Sequence, residues 1–365
     1  MAAPIDRSQM GLLEVEEIRS FVCRCVETAG GAPSHASCLA DVLLAADTRG
    51  HYSHGLNRLE MYVWELQAGQ CDGKATPTII KESPGTGHVD GQNAIGTVVG
   101  TFCMDLAIKK AKNVGIGWVS CKGSNHFGIA GYYSLMAIKE GLLGMATTNT
   151  SPIAVPTRAK EVALGTNAFT FGAPADDNDS FVLDMATTTA ALGKVEMQRR
   201  KEEPMPNCWG VDSDGKETKD PNKVMDGGGL LYLGGTEETG GYKGYGLGMM
   251  VEIMGGILGG GPYGTHIRKW QKDDRVADLG QTFVAINPEM FAPDFTGRMR
   301  QFMQEMRAME PADPDKPVLV AGDPERCYEK RVTEEGGVWY HRSLITAMDK
   351  LAVELKVEPM KLKNA

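Results

Sequence analysis

Ten consecutive residues, from Arg49 to Arg58, concentrate the side chains of this chain that are best suited to chemistry. They include His51 and His54, with Ser53 directly before the second histidine. An imidazole exchanges protons near neutral pH, and a guanidinium such as that of Arg58 binds a carboxylate through parallel N–H groups. A proton carrier beside a carboxylate clamp suits the interconversion of a 2-hydroxy acid and a 2-keto acid. A helix end whose polar side chains only cap the backbone is the alternative interpretation.

Other chemistries fit this motif less well. Ser53 beside His54 suggests a hydrolase, but neighbouring residues rarely align as nucleophile and base, and the chain has no Gly-x-Ser-x-Gly motif. His51 and His54 have the spacing of helical metal ligands, but no third ligand lies nearby in sequence, so no metal is expected. A sensor that binds a metabolite without turnover is a further alternative, although it has little need for a proton carrier.

Bulk composition narrows the class of protein. The chain has 365 residues, which predicts two lobes or one large domain. Its formal net charge of −9 argues against a nucleic acid or an anionic membrane as partner. No stretch approaches the roughly 18 apolar residues of a membrane helix, and the first residues do not resemble a signal peptide. Eight scattered cysteines without a Cys-x-x-Cys pair indicate reduced thiols and a cytoplasmic location.

The spacing of apolar residues predicts the elements that must position the motif. Helices are predicted over residues 12–28, 34–48, 59–67, 97–112, 129–140, 295–309 and 341–355. Strands are predicted over residues 114–120, 142–148, 163–171 and 180–184, with short strands between 79 and 95. Residues 200–240 are predicted to form a long surface excursion, followed by an apolar segment over 243–258. The strand–loop–helix–strand unit over 114–148 supports a mixed α/β core.

The glycine pattern of the common dinucleotide fold is missing. That fold needs Gly-x-Gly-x-x-Gly between a strand and a helix. Ser120 stands where the third glycine would follow Gly115 and Gly117, and the chain has no Gly-x-x-x-x-Gly-Lys-Ser/Thr phosphate loop. Any dinucleotide must therefore be held by a different set of residues.

Four other segments are candidates for that set. Residues 124–128 (Ser-Asn-His-Phe-Gly) lie at a predicted strand-to-helix turn, where backbone N–H groups suit a pyrophosphate or where one of the first two side chains simply caps the helix. Asp184 ends a predicted strand, where it would accept from a ribose hydroxyl or, the favoured interpretation, cap the following helix. Lys243 would reach a phosphate or stay solvated. Gly322-Asp323 alone predicts a turn.

Taken together, these segments resemble the malate/L-lactate dehydrogenase family of the second type, which is distinct from the ordinary lactate and malate dehydrogenases. That family includes enzymes that act on ureidoglycolate, sulfolactate, diketogulonate and cyclic imino acids. The resemblance covers most of the chain and rests on several ordered motifs. These are Arg-Gly-His-x-Ser-His-Gly-x-x-Arg at 49–58, Ser-Asn-His-Phe-Gly at 124–128, Thr-Asn-Thr-Ser-Pro at 148–152, Leu-Asp-Met-Ala-Thr at 183–187, Lys-Gly-Tyr-Gly-Leu at 243–247 and Gly-Asp at 322–323.

The resemblance implies the architecture. We expect an α/β protein with a non-Rossmann NAD(P)-binding fold, in which helices wrap a mixed, mostly antiparallel sheet. Residues 1–75 with 295–365 would form a helical substrate and dimer domain, and residues 76–294 the cofactor-binding α/β domain. The cofactor would be NAD or NADP, with NAD favoured, and the enzyme would be a homodimer.

The resemblance also implies roles for individual residues. His54 would be the proton donor and acceptor, Ser53 would support it, Arg58 would bind the substrate carboxylate and Thr166 would face the substrate. His126 would line the dinucleotide site, with an acid–base role in some relatives. Cofactor contacts would also come from Phe127, Gly128, Ile129, Ala130, Asp184, Met185, Ala186, Lys243, Gly244, Gly322 and Asp323.

The implied reaction is hydride transfer between a nicotinamide and C2 of a small 2-hydroxy or 2-keto acid. Malate or a lactate-like acid is the most expected substrate. The alternatives are a reductase of a related 2-keto or cyclic imino acid and a catalytically silent dinucleotide-binding protein. Imino-acid reductases of the family carry an aspartate where this chain aligns Lys194, which makes imine reduction the less expected activity.

Overall fold

The structure is a computed structural model that describes residues 7–269 and 275–363. The described helices are α1 (Val15–Thr28), α2 (Pro33–Thr48), α3 (Leu59–Gln67), α4 (Gly96–Val114), α5 (Gly131–Lys139), α6 (Leu192–Lys201), α7 (Pro221–Met225), α8 (Gly241–Glu252), α9 (Phe295–Arg307), α10 (Asp323–Glu335) and α11 (Arg342–Leu355). None of them is long and apolar enough to cross a lipid bilayer.

The described strands are β1 (Met10–Leu13), β2 (Thr78–Glu82), β3 (Thr86–Asp90), β4 (Ile116–Ser124), β5 (Leu143–Thr148), β6 (Phe169–Pro174), β7 (Ser180–Met185), β8 (Gly210–Val211), β9 (Glu217–Thr218), β10 (Gly229–Leu230), β11 (Leu279–Ile286) and β12 (Val338–His341). Seven of them form the central sheet in the order β2-β3-β4-β11-β5-β6-β7. Only the β3–β4 pair in this sheet is parallel, and the other neighbours run antiparallel. This confirms the predicted mixed, mostly antiparallel sheet.

Helices cover both faces of the sheet, as the alternation along β11 demonstrates. Phe283 and Ala285 point into a core that they share with α4 and α5. The alternate residue Thr282 points to the opposite face, where its hydroxyl donates to the carbonyl of Met254 at 2.6 Å. A Cβ built on Gly280 would lie 2.4 Å from Gly255, so the extension of α8 packs directly on the strand backbone.

A second core joins the two ends of the chain. It packs α1, α2 and α3 against α11, and it is closed by the antiparallel pairing of β1 with β12. This packing fixes the C-terminal end of α2, from which residues 49–58 continue. The division into two domains at residues 75 and 294 stays a prediction.

The elements differ from the predicted ones in three places. The strand predicted over 163–171 starts too early, because β6 spans Phe169–Pro174 and the residues before it contribute one isolated bridge, between Ala154 and Leu164. The excursion at 200–240 holds a small three-stranded sheet, β10-β8-β9, together with α7. Five elements had no counterpart in the sequence analysis: β1, α6, β11, α10 and β12.

Candidate active site

The loop between α2 and α3 carries the predicted reactive residues. It turns back on itself through local backbone bonds, including one from the His54 amide to the His51 carbonyl at 2.9 Å. Arg58 Nε donates to the carbonyl of Ser53 at 2.7 Å. Gly50, with a φ of +84°, packs against the ring of Tyr328, where a Cβ would lie 2.9 Å from a ring carbon. The fold therefore holds the imidazole and the guanidinium in one short turn.

His54 and Ser53 are hydrogen-bonded to each other, at 2.8 Å between Nδ1 and the hydroxyl oxygen. The expectation that these neighbours would not align was therefore wrong. Burial, together with the nearby charge of Arg58, lowers the pKa of His54 to about 4. The imidazole is thus neutral at physiological pH, which is the state that accepts a proton.

A second imidazole lies against the first. The rings of His54 and His126 have centres 5.7 Å apart and are within 23° of parallel. The hydroxyl of Tyr62, on α3, lies 2.6 Å from Nδ1 of His126. Burial lowers the pKa of His126 well below its usual value, and His54 and Arg58 add to that effect. Tyr62 carries no motif of its own and was missed by the sequence analysis.

Both imidazoles line a cavity of about 170 Å³. The predicted residues around it are Ser53, His54, Arg58, His126 and Thr166. Its remaining lining residues, which the sequence analysis did not assign to the site, are Glu65, Thr150, Ser151, Ile153, Ala191, Leu192, Gly193, Arg268, Ala277 and Leu279. The volume suits a small acid rather than a whole dinucleotide. A larger groove of about 650 Å³, between α6 and α7, contains none of the predicted site residues.

Glu65 and Arg268 form a buried ion pair in the cavity wall, with 3% and 6% of their side chains exposed. Arg268 Nη1 also donates to Gln70 Oε1 at 2.6 Å and to the carbonyl of Arg275 at 3.1 Å. Burial raises the pKa of the Glu65 carboxyl, and the guanidinium opposes that rise. A second guanidinium therefore faces the cavity in addition to Arg58.

Asp184 caps a different helix from the one expected. Its carboxylate accepts from the amide of Gly131, the first residue of α5, at 2.8 Å, so the predicted cap on the following helix was wrong. Burial raises the pKa of Asp184. The proposed caps at residues 124 and 125 were also wrong, because Ser124 donates to Gln281 at 2.8 Å and Asn125 to the carbonyl of Ala94 at 2.9 Å.

Three predicted cofactor residues after His126 have buried side chains. Phe127, Ile129 and Ala130 are buried, and the ring of Phe127 stacks on that of Tyr133 at 4.8 Å between centres. Gly128 between them has a φ of +79°, and a Cβ there would lie 2.3 Å from Val42. The turn is therefore packed closely against α2 and α5.

Gly322 and Asp323 begin α10, rather than forming an isolated turn. The preceding carbonyl, of Ala321, accepts from the amide of Val182 at 3.0 Å, which places this helix start beside β7. Partial burial would raise the pKa of Asp323, but hydrogen bonds from Arg307 and the other neighbouring donors lower it to about 2. Asp323 is therefore an ionised member of a salt-bridge cluster.

The remaining predicted cofactor residues are Met185, Ala186, Lys243 and Gly244. Lys243 is exposed on the first turn of α8, with its ammonium 5.8 Å from the centre of the Tyr242 ring. Gly244 packs against Leu233, whose amide donates to the carbonyl of Thr187 at 2.8 Å. Met185 and Ala186 connect that threonine to the end of β7. Pairwise contacts thus connect the four predicted segments: Gly131 with Asp184, Val182 with Ala321, and Gly244 with Leu233, which bonds to Thr187.

The family model described as malate/L-lactate dehydrogenase matches residues 13–349. This chain belongs to that family. It is 42% identical to a malate dehydrogenase of Pyrococcus abyssi over 295 residues, covering 80% of this chain and 81% of the relative. It is 36% identical to an L-sulfolactate dehydrogenase of Methanocaldococcus jannaschii over 346 residues, covering 94% and 97% of the two chains.

A solved malate dehydrogenase of Entamoeba histolytica shares the fold, with a TM-score of 0.91 at 31% identity over 96% of this chain and 99% of that one. The sequence resemblance is thereby confirmed, and with it the fold class. The chain is a nicotinamide-dependent oxidoreductase that acts on 2-hydroxy or 2-keto acids.

A buried polar network supports the floor of the dehydrogenase cavity. Asn149 donates to Glu252 at 3.0 Å, and Asn167 donates to the other oxygen of the same carboxylate at 2.7 Å. Their neighbours Thr150 and Thr166, which line the cavity, are joined by a bond from the Thr166 amide to the Thr150 hydroxyl at 3.0 Å. Because each of these groups is paired, the floor is held in one arrangement.

The two histidines of the 49–58 motif have different neighbours. His51 Nε2 lies 3.7 Å from Glu325 of α10, whereas the ring of His54 lies against His126. Within residues 7–269 and 275–363, no group of three or more histidine, cysteine or acidic side chains is arranged to hold a metal ion.

Proposed function

We propose that this enzyme oxidises malate at C2 with NAD as the hydride acceptor, and catalyses the reverse reduction. The observation that supports this most is the cavity itself, which is lined by His54 and by two arginines, Arg58 and Arg268. Malate has a carboxylate at each end and a secondary alcohol beside one of them. One acid–base group with two cationic partners matches that distribution of charge.

In the proposed mechanism, Arg58 binds the carboxylate next to the reacting carbon. The bond from its Nε to the Ser53 carbonyl fixes the guanidinium relative to His54. Neutral His54 accepts the proton of the C2 hydroxyl as the C–H bond breaks and the carbonyl forms. A nicotinamide held by the predicted cofactor residues would supply the hydride acceptor, so that oxidation would deliver one hydride to the cofactor and one proton to His54.

Ser53 serves both reaction directions. A hydroxyl both donates and accepts, so it can partner Nδ1 of His54 with or without a proton on that nitrogen. His126, held by Tyr62 at 2.6 Å, adds a neutral imidazole that orients the substrate oxygen. Thr166 completes the wall on the substrate side.

Arg268 binds the distal carboxylate of malate in this proposal. Within the described residues, its hydrogen bonds to Glu65, Gln70 and the carbonyl of Arg275 use three of the five guanidinium N–H groups. Glu65 fixes the orientation of the guanidinium and offsets part of its burial cost.

The cofactor would lie along the strip formed by residues 126–130, 184–186, 243–244 and 322–323. NAD is favoured over NADP because the guanidiniums beside residues 322–323 are not available to a 2′-phosphate. The guanidiniums nearest that strip, Arg307 and Arg326, are already paired with Asp179 and Asp323. A phosphate there would have to displace a carboxylate.

A homodimer is supported by an exposed apolar face on α8 and its extension. Tyr242, Met249, Ile253 and Ile257 follow helical spacing, and each has between 42% and 54% of its surface exposed. A second copy of the chain is the partner proposed for this face.

A cytoplasmic location is supported by the eight cysteines, which are all free thiols.

Imine reduction is the alternative activity. Lys194, which stands where the imino-acid reductases carry an aspartate, is exposed on α6 with its ammonium 6.0 Å from the centre of the Trp209 ring. It does not line the cavity, whereas the preceding Gly193 does. The position therefore offers no carboxylate to relay a proton to an imine.

The test is a substrate and cofactor panel on the purified enzyme, followed by the absorbance of the reduced nicotinamide. Malate, lactate, sulfolactate and ureidoglycolate are each offered with NAD and with NADP, and a cyclic imino acid with the reduced cofactors. We expect the highest kcat/KM for malate with NAD. A preference for lactate would contradict the role of Arg268, and a preference for the imine would replace the proposed activity.

A further inference from the structure

A buried carboxylate that takes no part in the proposed chemistry lies beneath the reactive loop. Asp47, in the last turn of α2, is 1% exposed. Its Oδ2 accepts from the amide of Leu56 at 2.8 Å and from the hydroxyl of Tyr340 at 2.6 Å. One oxygen therefore joins the end of α2, the far end of the reactive loop and strand β12.

The other oxygen of the same carboxylate shows how closely the loop is seated. Asp47 Oδ1 is buried and has no hydrogen-bond partner among the described residues. A Cβ built on Gly55 would lie 1.9 Å from that oxygen, so the loop backbone lies directly on the carboxylate. A buried unsatisfied oxygen costs free energy. The contacts made by Oδ2 must offset that cost, which marks them as important to the local structure.

The point of attachment lies between the two reactive side chains. Leu56 begins the 3-10 turn Leu56–Arg58, two residues after His54 and two before Arg58. Fixing its amide fixes both the end of the segment that carries the imidazole and the start of the turn that carries the guanidinium. Neither Asp47 nor Tyr340 lines the cavity, so any effect on catalysis must pass through this attachment.

We propose that Asp47 is a positioning residue for the acid–base histidine, and that the Tyr340 hydroxyl shares this role from the C-terminal end of the chain. Tyr340 is buried, and its ring meets that of Tyr52, in the same loop, edge to face at 6.0 Å between centres. Strand β12 thus braces the loop by a hydrogen bond through Asp47 and by a ring contact through Tyr52. This inference rests on the proposed role of His54.

Three variants separate positioning from simple stability. Asp47→Asn keeps an acceptor for Leu56 and Tyr340 and places an amide nitrogen where Oδ1 is unsatisfied. Asp47→Ala removes the acceptor. Tyr340→Phe removes one hydroxyl and leaves the ring. Trp339→Phe is the matched control, since Trp339 is on the same strand and its indole bonds to Glu335, away from the loop.

The readouts are kcat and KM for malate, the melting temperature, and the NMR signal of the His54 ring. We expect Asp47→Ala to lower kcat by about 100-fold, since an error of about 1 Å in positioning costs that much. Asp47→Asn should keep most of the wild-type kcat, and Tyr340→Phe should lower kcat by about 10-fold. The His54 signal should move in Asp47→Ala and Tyr340→Phe but not in Trp339→Phe.

A double variant tests whether the two residues act through one link. Adding Tyr340→Phe to Asp47→Ala should lower kcat no further, because the hydroxyl then has no carboxylate to brace. If Asp47→Ala does not fold, Tyr340→Phe and Asp47→Asn decide the matter. The proposal is overturned if folded Tyr340→Phe and Asp47 variants keep wild-type kcat and the wild-type His54 signal. Should His54→Gln itself keep full activity, the proposed function fails instead, and the two failures are distinct.

Discussion

The imidazoles of His54 and His126 lie 5.7 Å apart between ring centres and within 23° of parallel. Burial lowers the pKa of both rings, and Arg58 lowers both further. At neutral pH the cavity therefore holds two uncharged imidazoles, and its positive charge resides on guanidiniums. Substrate anchoring and proton transfer are thus assigned to different side chains.

The depressed pKa of His54 gives the two reaction directions opposite pH dependence. Oxidation of the 2-hydroxy acid needs the neutral imidazole, so its kcat/KM should stay flat as the pH falls through 6.5, the value for an ordinary histidine, and decline only towards a pH of about 4. Reduction of the 2-keto acid needs the imidazolium, so its kcat/KM should fall about tenfold per pH unit above the pKa. An oxidation profile that bends near 6.5 would contradict this assignment; His341→Gln serves as the control.

Removing the Ser53 hydroxyl should slow both directions. Ser53→Ala leaves Nδ1 of His54 without its partner at 2.8 Å, and a hydrogen bond to a charged group is worth about 1.5–3 kcal/mol. We expect kcat to fall by about 10-fold or more, with a small change in KM. Ser343→Ala is the control, because Ser343 makes a similar bond to Nδ1 of His341 at 2.7 Å, outside the cavity. Equal, small effects of both variants would remove Ser53 from the mechanism.

Arg58 should act mainly on substrate binding. Arg58→Met should raise KM for malate by about 30-fold or more, since loss of one partner of a hydrogen-bonded charge pair costs about 2 kcal/mol or more. Arg58→Lys should raise KM by an intermediate amount, because lysine keeps the positive charge but not the paired N–H donors of the guanidinium. Loss of the cation should also raise the pKa of His54, which histidine NMR titration would detect. Arg19→Met, which breaks the ion pair with Asp41, should leave KM unchanged.

The Glu65–Arg268 pair should matter for stability and selectivity in separable ways. Glu65→Gln leaves the buried guanidinium without a countercharge and should destabilise the fold by about 3–5 kcal/mol in urea unfolding. Replacing both residues by methionine should recover most of that stability. The double variant should nevertheless lose its preference for malate over lactate.

Two outcomes would contradict that account. Retained malate preference in the double variant would mean that Arg268 does not bind the distal carboxylate. A negligible effect of Glu65→Gln on unfolding would mean that the pair does not stabilise the fold. Glu82→Gln is the matched control, because Glu82 pairs with Lys110 at 2.9 Å but is half exposed. Its replacement should therefore lower the free energy of unfolding by much less than Glu65→Gln does.

The reactive loop was predictable because its chemistry is local in sequence. Ser53, His54 and Arg58 fall within six residues, and short-range backbone bonds hold them together. Glu65 and Arg268 are separated by 203 residues, and neither belongs to a motif, so only the tertiary fold reveals that they pair in the cavity wall. The segment 148–152, which contributes Thr150 and Ser151 to the cavity lining, was likewise recognised as a motif without a role, whereas Thr166 was assigned to the substrate side.

Two elements were missed by the sequence analysis for physical reasons. Strand β11 is central and buried on both faces, and its glycine, glutamine and threonine at 280–282 interrupt the apolar run that would have marked it. Helix α10 has no fully buried residue, so its sequence lacks the apolar stripe that predicts a helix. Asp184 was misassigned because the helix that it caps, α5, precedes it by some fifty residues, a contact that local capping rules do not cover.

The most direct test of the account is single-turnover hydride transfer by His54→Gln. Enzyme with bound NAD is mixed with malate, and reduced nicotinamide is followed over time beside wild type, with the melting temperature as the check on folding. Since general acid–base catalysis contributes about 10²–10⁴-fold, we predict a loss of that size at unchanged cofactor affinity. A folded His54→Gln enzyme that reduces NAD at the wild-type rate would contradict the central claim.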